Sequence, residues 1–125
     1  MKNALLKVAS GIAISVLMIS GALAQAAEPA YKASPEVYKV IFEDANFRVM
    51  EVNRPKGLHD KAHSHPTPGI VYYVTDCKNK QYSADGKTNE GGGKAGTATA
   101  TPVVASHSVE NIGTADCKQI IVEKK

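Results

Sequence analysis

The sequence predicts an all-β fold, a sandwich or barrel of short strands that follows an N-terminal segment of different character. Short runs rich in β-branched and aromatic residues recur along the 125-residue chain, with turn-forming residues between them at intervals of about eight to twelve residues. After the first segment, no long stretch has the period of an amphipathic helix. Many short strands with frequent turns are typical of sandwiches and barrels.

The N-terminal segment, residues 1–26, has the pattern of a secretory signal peptide. Lys2 and Lys7 give a positive start, Val8–Leu23 is apolar or small, and two overlapping Ala-x-Ala triplets at 22–26 offer cleavage sites. The alternative is an uncleaved membrane anchor, but the apolar run is short for a span of about 20 residues. The sequence therefore predicts a periplasmic or secreted protein with no stable membrane anchoring after cleavage.

The remaining residues, 27–125, are predicted to form a single domain. Without the two lysines of the signal the formal charge falls from +3 to +1. No basic cluster with interleaved aromatic residues is present, so we expect no nucleic-acid partner.

The strands are predicted from local composition and turn signals. Of these, Ile70–Thr75 is the strongest, and its continuous apolar run predicts burial on both faces. Gly91–Gly93 is expected to be a flexible loop. The remaining strands are expected at Tyr38–Phe42, Phe47–Val52, Gln81–Ser83, Thr97–Thr101, Val103–Val104, Ser108–Val109 and Ile120–Val122.

Three histidines make the most informative pattern in the chain. His63 and His65 are two residues apart, and in a strand such residues point to the same face. If His107 arrives from another strand, the three rings can form a metal site. The alternatives are exposed polar residues before a proline-rich turn for the pair, and a hydrogen-bonded loop histidine for His107.

The histidines also stand in two motifs that resemble those of the cupin family. The first, Gly-x5-His-x-His, is carried by Gly57, His63 and His65; the second, Gly-x5-Pro-x-Gly-x2-His-x3-Asn, by Gly96, Pro102, His107 and Asn111, with Val104 in place of the second glycine. The resemblance covers Val37 to about Glu123. It implies a cupin-type, RmlC-like double-stranded β-helix, also called a jelly-roll barrel, in this domain.

The sequence departs from the family pattern at one metal ligand. The family glutamate falls at position 69 or 70, where this chain has Gly69 and Ile70. The resemblance then implies a metal set reduced to His63, His65 and His107, holding a divalent Fe, Mn, Ni or Zn. Such a neutral ligand set favours anions in the open positions of the metal. The nearest candidates for a replacement carboxylate are Glu51 and Glu90, and the spacing supports neither.

The two cysteines, Cys77 and Cys117, are expected to form a disulfide, since an even pair in an exported protein usually does. A metal-ligand pair or free thiols are the alternatives. The resemblance adds that the strand after the first motif and the last strand are antiparallel neighbours. The end of the former would then lie beside the start of the latter, where a disulfide is geometrically reasonable.

Four other residues are candidates for roles near the site. His59 is expected at the surface, or as a residue that supports the ligands or contacts substrate. Tyr72 and Tyr73 should point to opposite faces of their strand, with one in the core and either hydroxyl able to reach the cavity. Asn111 is expected to satisfy backbone groups.

Three functions follow from these predictions. The first is a metal-dependent enzyme, with dioxygenase or isomerase chemistry on a small oxygen-bearing substrate implied by the resemblance. The second is a non-catalytic module that binds a metal or a small ligand. The third is a metal-free remnant whose histidines only form hydrogen bonds. In the first two a small molecule is the partner, and the resemblance also implies a homodimer.

Overall fold

The computed structural model describes residues 25–125. Residues 1–24 of the predicted signal peptide therefore lie outside the described residues. The elements are α1 (Ala30–Ala33), β1 (Tyr38–Glu43), β2 (Phe47–Arg54), β3 (His63–His65), β4 (Gly69–Tyr73), β5 (Cys77–Ser83), β6 (Thr88–Gly93), β7 (Ala98–Thr101), β8 (Val104–Asn111) and β9 (Cys117–Lys124). They form a five-stranded sheet, β1-β2-β9-β4-β7, and a four-stranded sheet, β3-β8-β5-β6. The all-β prediction is confirmed. Within residues 25–125, the structure contains no helix with the length and apolar character that crossing a membrane requires.

The five-stranded sheet supplies most of the hydrophobic core through strict alternation along its strands. In β2, Met50 and Val52 are fully buried while Phe47 faces outward. In β9 the inward face consists of Cys117, Gln119, Ile121 and Glu123, all buried. The core of the barrel is therefore apolar at Met50 and Val52, and it carries polar groups where β9 crosses it and at Arg54, the last residue of β2.

Strand β4 corrects one prediction, because its continuous apolar run is buried on one face only. Val71 and Tyr73 point inward, whereas Ile70 and Tyr72 are 53% and 45% exposed. Ile70 pairs with Val122 of β9, which in turn pairs with Val49 of β2. The outer face of this sheet thus carries a row of apolar side chains. For this reason the sequence of β4 is as continuously apolar as that of a strand buried on both faces.

Gly91–Gly93, predicted as a flexible loop, instead belongs to strand β6. These glycines pair with Cys77–Asn79 of β5. A Cβ on Gly93 would overlap the ring of Tyr73, which reaches across from the other sheet, and Gly92 has φ +141° and packs against the Cys77 carbonyl. Here glycine allows close approach of neighbouring groups, which local composition does not distinguish from loop flexibility.

Strand β8 is continuous from Val104 to Asn111, where two separate short strands were predicted. It pairs with β5 on one side and with β3 on the other. The N-terminal residues close the free edge of β3: the Ser64 amide donates to the Glu28 carbonyl at 2.8 Å. As a result β3 is buried although it is an edge strand.

Cys77 and Cys117 form the predicted disulfide. The predicted antiparallel pairing of β4 with β9 is also present. One detail differs, because β4 already ends at Tyr73 and Cys77 is the first residue of β5. The disulfide therefore joins the first residues of β5 and β9, and so links the two sheets.

Candidate metal centre

The structure brings His63, His65 and His107 together between the two sheets. His63 and His65 lie on β3, and the Cα of His107 on β8 is the register partner of His63. One ring nitrogen from each histidine can be chosen so that all three lie within 4.8 Å of one another. The three rings are mutually edge-on, with centroids 4.7–5.2 Å apart. This clustering is what a three-nitrogen metal site requires.

Hydrogen bonds at the Nδ1 atoms fix the orientation of the two β3 histidines. The Nδ1 of His63 lies 2.8 Å from the Lys61 carbonyl oxygen, which only accepts, so this nitrogen carries the proton. The Nδ1 of His65 lies 2.9 Å from Oε1 of the buried Glu123 and donates to it in the same way. Both assignments leave Nε2 unprotonated and therefore able to coordinate a metal, as in metal-bound histidines.

His107 provides the observation that tests the fit of a metal. Its Nε2 is buried and has no hydrogen-bond partner among the described residues. An unsatisfied buried nitrogen costs about 1–3 kcal/mol. Burial, followed by the neighbouring His63 and His65, lowers the pKa of His107 to about 3, which keeps the ring neutral at physiological pH. A neutral imidazole with an unused lone pair, next to two others, fits a divalent transition metal.

A buried network of Tyr38, Arg54 and Asp60 supports the histidines from one side. The Tyr38 hydroxyl donates to Asp60 at 2.8 Å and accepts from Nη2 of Arg54 at 2.6 Å, and its oxygen lies 3.2 Å from Nε2 of His63. Arg54 also pairs with Asp60 at 3.0 Å. Burial raises the pKa of Tyr38, so it remains a neutral phenol. Because its single proton goes to Asp60, the lone pair of His63 stays available.

The other predicted candidates lie in distinct places. His59 is exposed, stacks on Tyr82 with centroids 4.5 Å apart and hydrogen-bonds Ser108 at 2.8 Å. Tyr73 lines the internal cavity, and Tyr72 faces outward. Asn111 is fully buried; its amide donates to the Arg54 and Ala115 carbonyls and accepts from the Gly113 amide. The contacts of Asn111 are thus with backbone groups.

A cavity of about 210 Å³ lies beside the histidines. It is smaller than the roughly 300–1,000 Å³ of typical ligand pockets. His65, His107 and Arg54 line it together with Asn79 and apolar residues of both sheets, Val71, Val104, Val109 and Ile121 among them. The cavity suits a molecule of a few heavy atoms with both a polar and an apolar part.

Comparison with known proteins bears on the fold. No protein-family model and no curated protein matches the sequence. Among solved structures, a cupin domain from Bordetella pertussis Tohama I is 19% identical, with a TM-score of 0.65 over 71% of this chain and 92% of that one. An RmlC-like cupin family protein with a double-stranded β-helix fold, from Methanocaldococcus jannaschii, is 12% identical, with a TM-score of 0.57 over 70% and 78%.

The chain has a cupin fold.

An enzyme also stands among the similar structures. An oxalate decarboxylase is 24% identical, with a TM-score of 0.51, and the match covers 64% of this chain but only 22% of that one. At this sequence identity the similarity shows a shared fold. The fold alone does not determine which reaction, if any, the three histidines support.

Within the cupin fold, the carboxylate nearest the histidines comes from an unexpected strand. Neither Glu51 nor Glu90 approaches the site: Glu51 faces outward on β2, and Glu90 is exposed and pairs with Lys78. Instead Glu123 of β9 is the register partner of Gly69, the position where the motif has glutamate. A Cβ at Gly69 would lie 2.6 Å from the Val122 carbonyl oxygen. Glu123 bonds Nδ1 of His65, so it orients a ligand histidine.

Sequence reasoning missed Glu123, and it also missed Arg54, Asp60 and Tyr38. A signal for Glu123 was present, because Cys117, Ile121 and Glu123 have the same parity in β9 and therefore face the same way. The Arg54–Asp60 pair had no such signal, since the loop between β2 and β3 brings these residues together.

Proposed function

We propose that this protein binds one divalent transition metal, Fe, Mn, Ni or Zn, through Nε2 of His63, His65 and His107, and acts on a small oxygen-bearing molecule in the adjacent cavity. The observation that carries the proposal is the buried Nε2 of His107, which lacks a partner among the described residues. Dioxygenase or isomerase chemistry is the proposed activity.

The chain's own residues prepare this site. Lys61 and Glu123 hold the β3 histidines with their Nε2 atoms free. Arg48 lies 3.5 Å from the other oxygen of Glu123, and Arg54 balances Asp60, so the charged side chains around the histidines cancel in pairs. When bound, a divalent metal would supply Lewis-acid catalysis, and Fe or Mn would add redox chemistry. The site would then have a net charge of about +2 and attract anions.

A non-catalytic binding module is the second candidate, and the engagement of the acids near the site favours it. Asp60 accepts hydrogen bonds from Tyr38, Arg54 and the Val109 amide, and Glu123 accepts from His65. Proton transfer by either group would break a contact that orients the site. Turnover therefore distinguishes the two functions, while metal binding is common to both.

We infer that the protein works in the periplasm or outside the cell. The signal-like pattern of residues 1–26 supports this location. The Cys77–Cys117 disulfide supports it as well, because disulfides persist in oxidising compartments.

The metal proposal is tested by elemental mass spectrometry of protein purified without chelators or a histidine tag. We expect about one equivalent of one metal in the wild type and none in His63→Ala/His65→Ala. The matched control is His59→Ala, which removes the exposed histidine outside the cluster and should keep the metal. Absence of metal after reconstitution with Fe(II), Mn(II), Ni(II) and Zn(II) would refute the proposal.

A further inference from the structure

Three buried polar side-chain atoms lack a hydrogen-bond partner within residues 25–125, and all three belong to residues that line one cavity. They are Nε2 of His107, Nη1 of Arg54 and Oδ1 of Asn79. Arg54 is 2% exposed and Asn79 6% exposed. Unsatisfied buried groups of this kind are rare in folded proteins. Their concentration around one space indicates that a ligand completes their hydrogen bonds.

Arg54 determines the charge of that ligand. Its Nη2 and Nε bond Tyr38 and Asp60, which leaves both hydrogens of Nη1 unused. The carboxylate of Asp60 accepts hydrogen bonds from Nη2 of Arg54, the Tyr38 hydroxyl and the Val109 amide, and it does not accept one from Nη1. A guanidinium nitrogen in an enclosed site pairs best with an anionic oxygen.

The remaining lining selects among anions. Phosphate and sulfate spread their charge over a tetrahedron and are usually held by several charged donors. Among the described residues of this cavity, Nη1 of Arg54 is the unpaired nitrogen of a charged side chain, and the other polar groups of the lining, such as Gln81, Thr99 and Gln119, are neutral. Val71, Val109 and Ile121 present an apolar wall that suits a short carbon chain. The free end of the Asn79 amide can pair with a hydroxyl or amino group on that chain.

We propose that Arg54 binds the carboxylate of a small organic acid of about two to four carbons in this cavity, with Asn79 as a second polar contact. This proposal specifies the substrate class of the proposed metal site, and any part that the carboxylate contact has in catalysis depends on that proposed function. The carboxylate contact itself involves only the protein, so it is measurable with and without metal.

The first experiment needs no variant. Propionate and its neutral isostere propionamide are titrated calorimetrically into the purified protein, metal-free and metal-loaded. A charge-assisted hydrogen bond of about 1.5–3 kcal/mol corresponds to roughly 10- to 100-fold in affinity. We expect propionate to bind at least 10-fold more tightly than propionamide in both forms. Equal affinities, or tighter binding of inorganic phosphate than of propionate, would overturn the proposal.

The second experiment assigns the contact to its residue. Arg54→Lys keeps the positive charge beside Asp60 and removes Nη1, so it preserves the buried ion pair better than a neutral substitution. We expect the metal-free variant to lose about 10-fold or more in propionate affinity relative to the metal-free wild type, while its affinity for propionamide changes less. Undiminished propionate binding by the folded variant would contradict the assignment.

Failure of the metal proposal is separable from failure of this one. If the wild type binds no metal but the metal-free protein prefers propionate in an Arg54-dependent manner, the subsite is supported and the metal function is not. If metal binds and propionate shows no preference, the reverse holds. Should Arg54→Lys not fold, as judged by circular dichroism, the comparison of propionate with propionamide in the wild type decides.

Discussion

Replacing Glu123 by glutamine tests whether this carboxylate positions a metal ligand. Glu123 is 2% exposed and accepts from Nδ1 of His65 at 2.9 Å, while its second oxygen lies 3.5 Å from Arg48. A glutamine side chain has nearly the same shape but only one oxygen. Its amide nitrogen must then face a donor, either the imidazole N–H or the guanidinium. One of the two contacts of Glu123 is therefore lost, and the other becomes neutral.

The size of the effect follows from these contacts. A hydrogen bond to a charged group contributes about 1.5–3 kcal/mol and a neutral one about 0.5–1.5, so the bond to His65 alone weakens by about 1 kcal/mol. Loss of the orientation of His65 adds to this. Residues that orient metal ligands typically account for 10- to 100-fold in metal affinity. We expect Glu123→Gln to weaken metal binding within that range, which is about 1.4–2.8 kcal/mol.

Calorimetric titration of the metal-free protein with Zn(II), with chelator competition for the tight wild type, measures the change. Glu43→Gln is the matched control, because Glu43 also contacts Arg48, at 3.2 Å, but lies at the exposed end of β1. Its affinity should equal that of the wild type. Thermal unfolding of the metal-free variants separates affinity from stability. A folded Glu123→Gln that binds Zn(II) within threefold of the wild type would refute the positioning role.

Three further predictions concern stability. Burial lowers the folded-state pKa of His107 to about 3, below the reference of about 6.5, so the unfolded chain binds the extra proton in between. The free energy of unfolding of the metal-free protein, measured with urea, should therefore fall as the pH drops from about 6.5 to about 3. This residue contributes up to about 1.4 kcal/mol per pH unit, and His107→Gln should remove that contribution. The same dependence of stability on pH in the variant and the wild type would contradict the prediction. Replacing Cys77 and Cys117 by serine opens a loop of separation 40 and should lower the free energy of unfolding by about 4 kcal/mol, whereas a loss under 1 kcal/mol would show that the disulfide constrains little. Gly93→Ala should cost about 1–3 kcal/mol because its Cβ meets a tyrosine ring, while Gly91→Ala, with open space around it, should not destabilise; equal effects would contradict the packing argument.

Local sequence predicted the fold where side-chain alternation and turn residues agreed. In β2, Met50 and Val52 lie on the buried face as their parity indicates. Prediction failed where two different structural environments favour the same amino-acid composition. The apolar run from Ile70 reflects one core face and one apolar outer face, and the glycines of β6 reflect close packing. Both distinctions depend on partner strands, which local periodicity does not contain.

The same reasoning explains which parts of the site were predictable. The two-residue period of a strand is enough to predict that His63 and His65 share a face. The spacing of the second motif predicted that His107 belongs to the same site. Glu123 required the register between β4 and β9, in which it stands opposite Gly69. Arg54 and Asp60 meet only through the path of a loop. The residues that orient and balance the ligands are thus less visible in sequence than the ligands themselves.

The position of β9 has a consequence for the order of assembly. This strand is last in the chain among the described elements, yet it lies at the centre of its sheet, between β2 and β4, and it carries Glu123. The five-stranded sheet cannot close until residues 117–124 have been synthesised and are free to pair. Until then the inner edges of β2 and β4 lack their shared partner and must be kept from pairing with other chains. Barrel closure and formation of the Cys77–Cys117 disulfide therefore both wait for the same strand, since Cys117 is the first residue of β9.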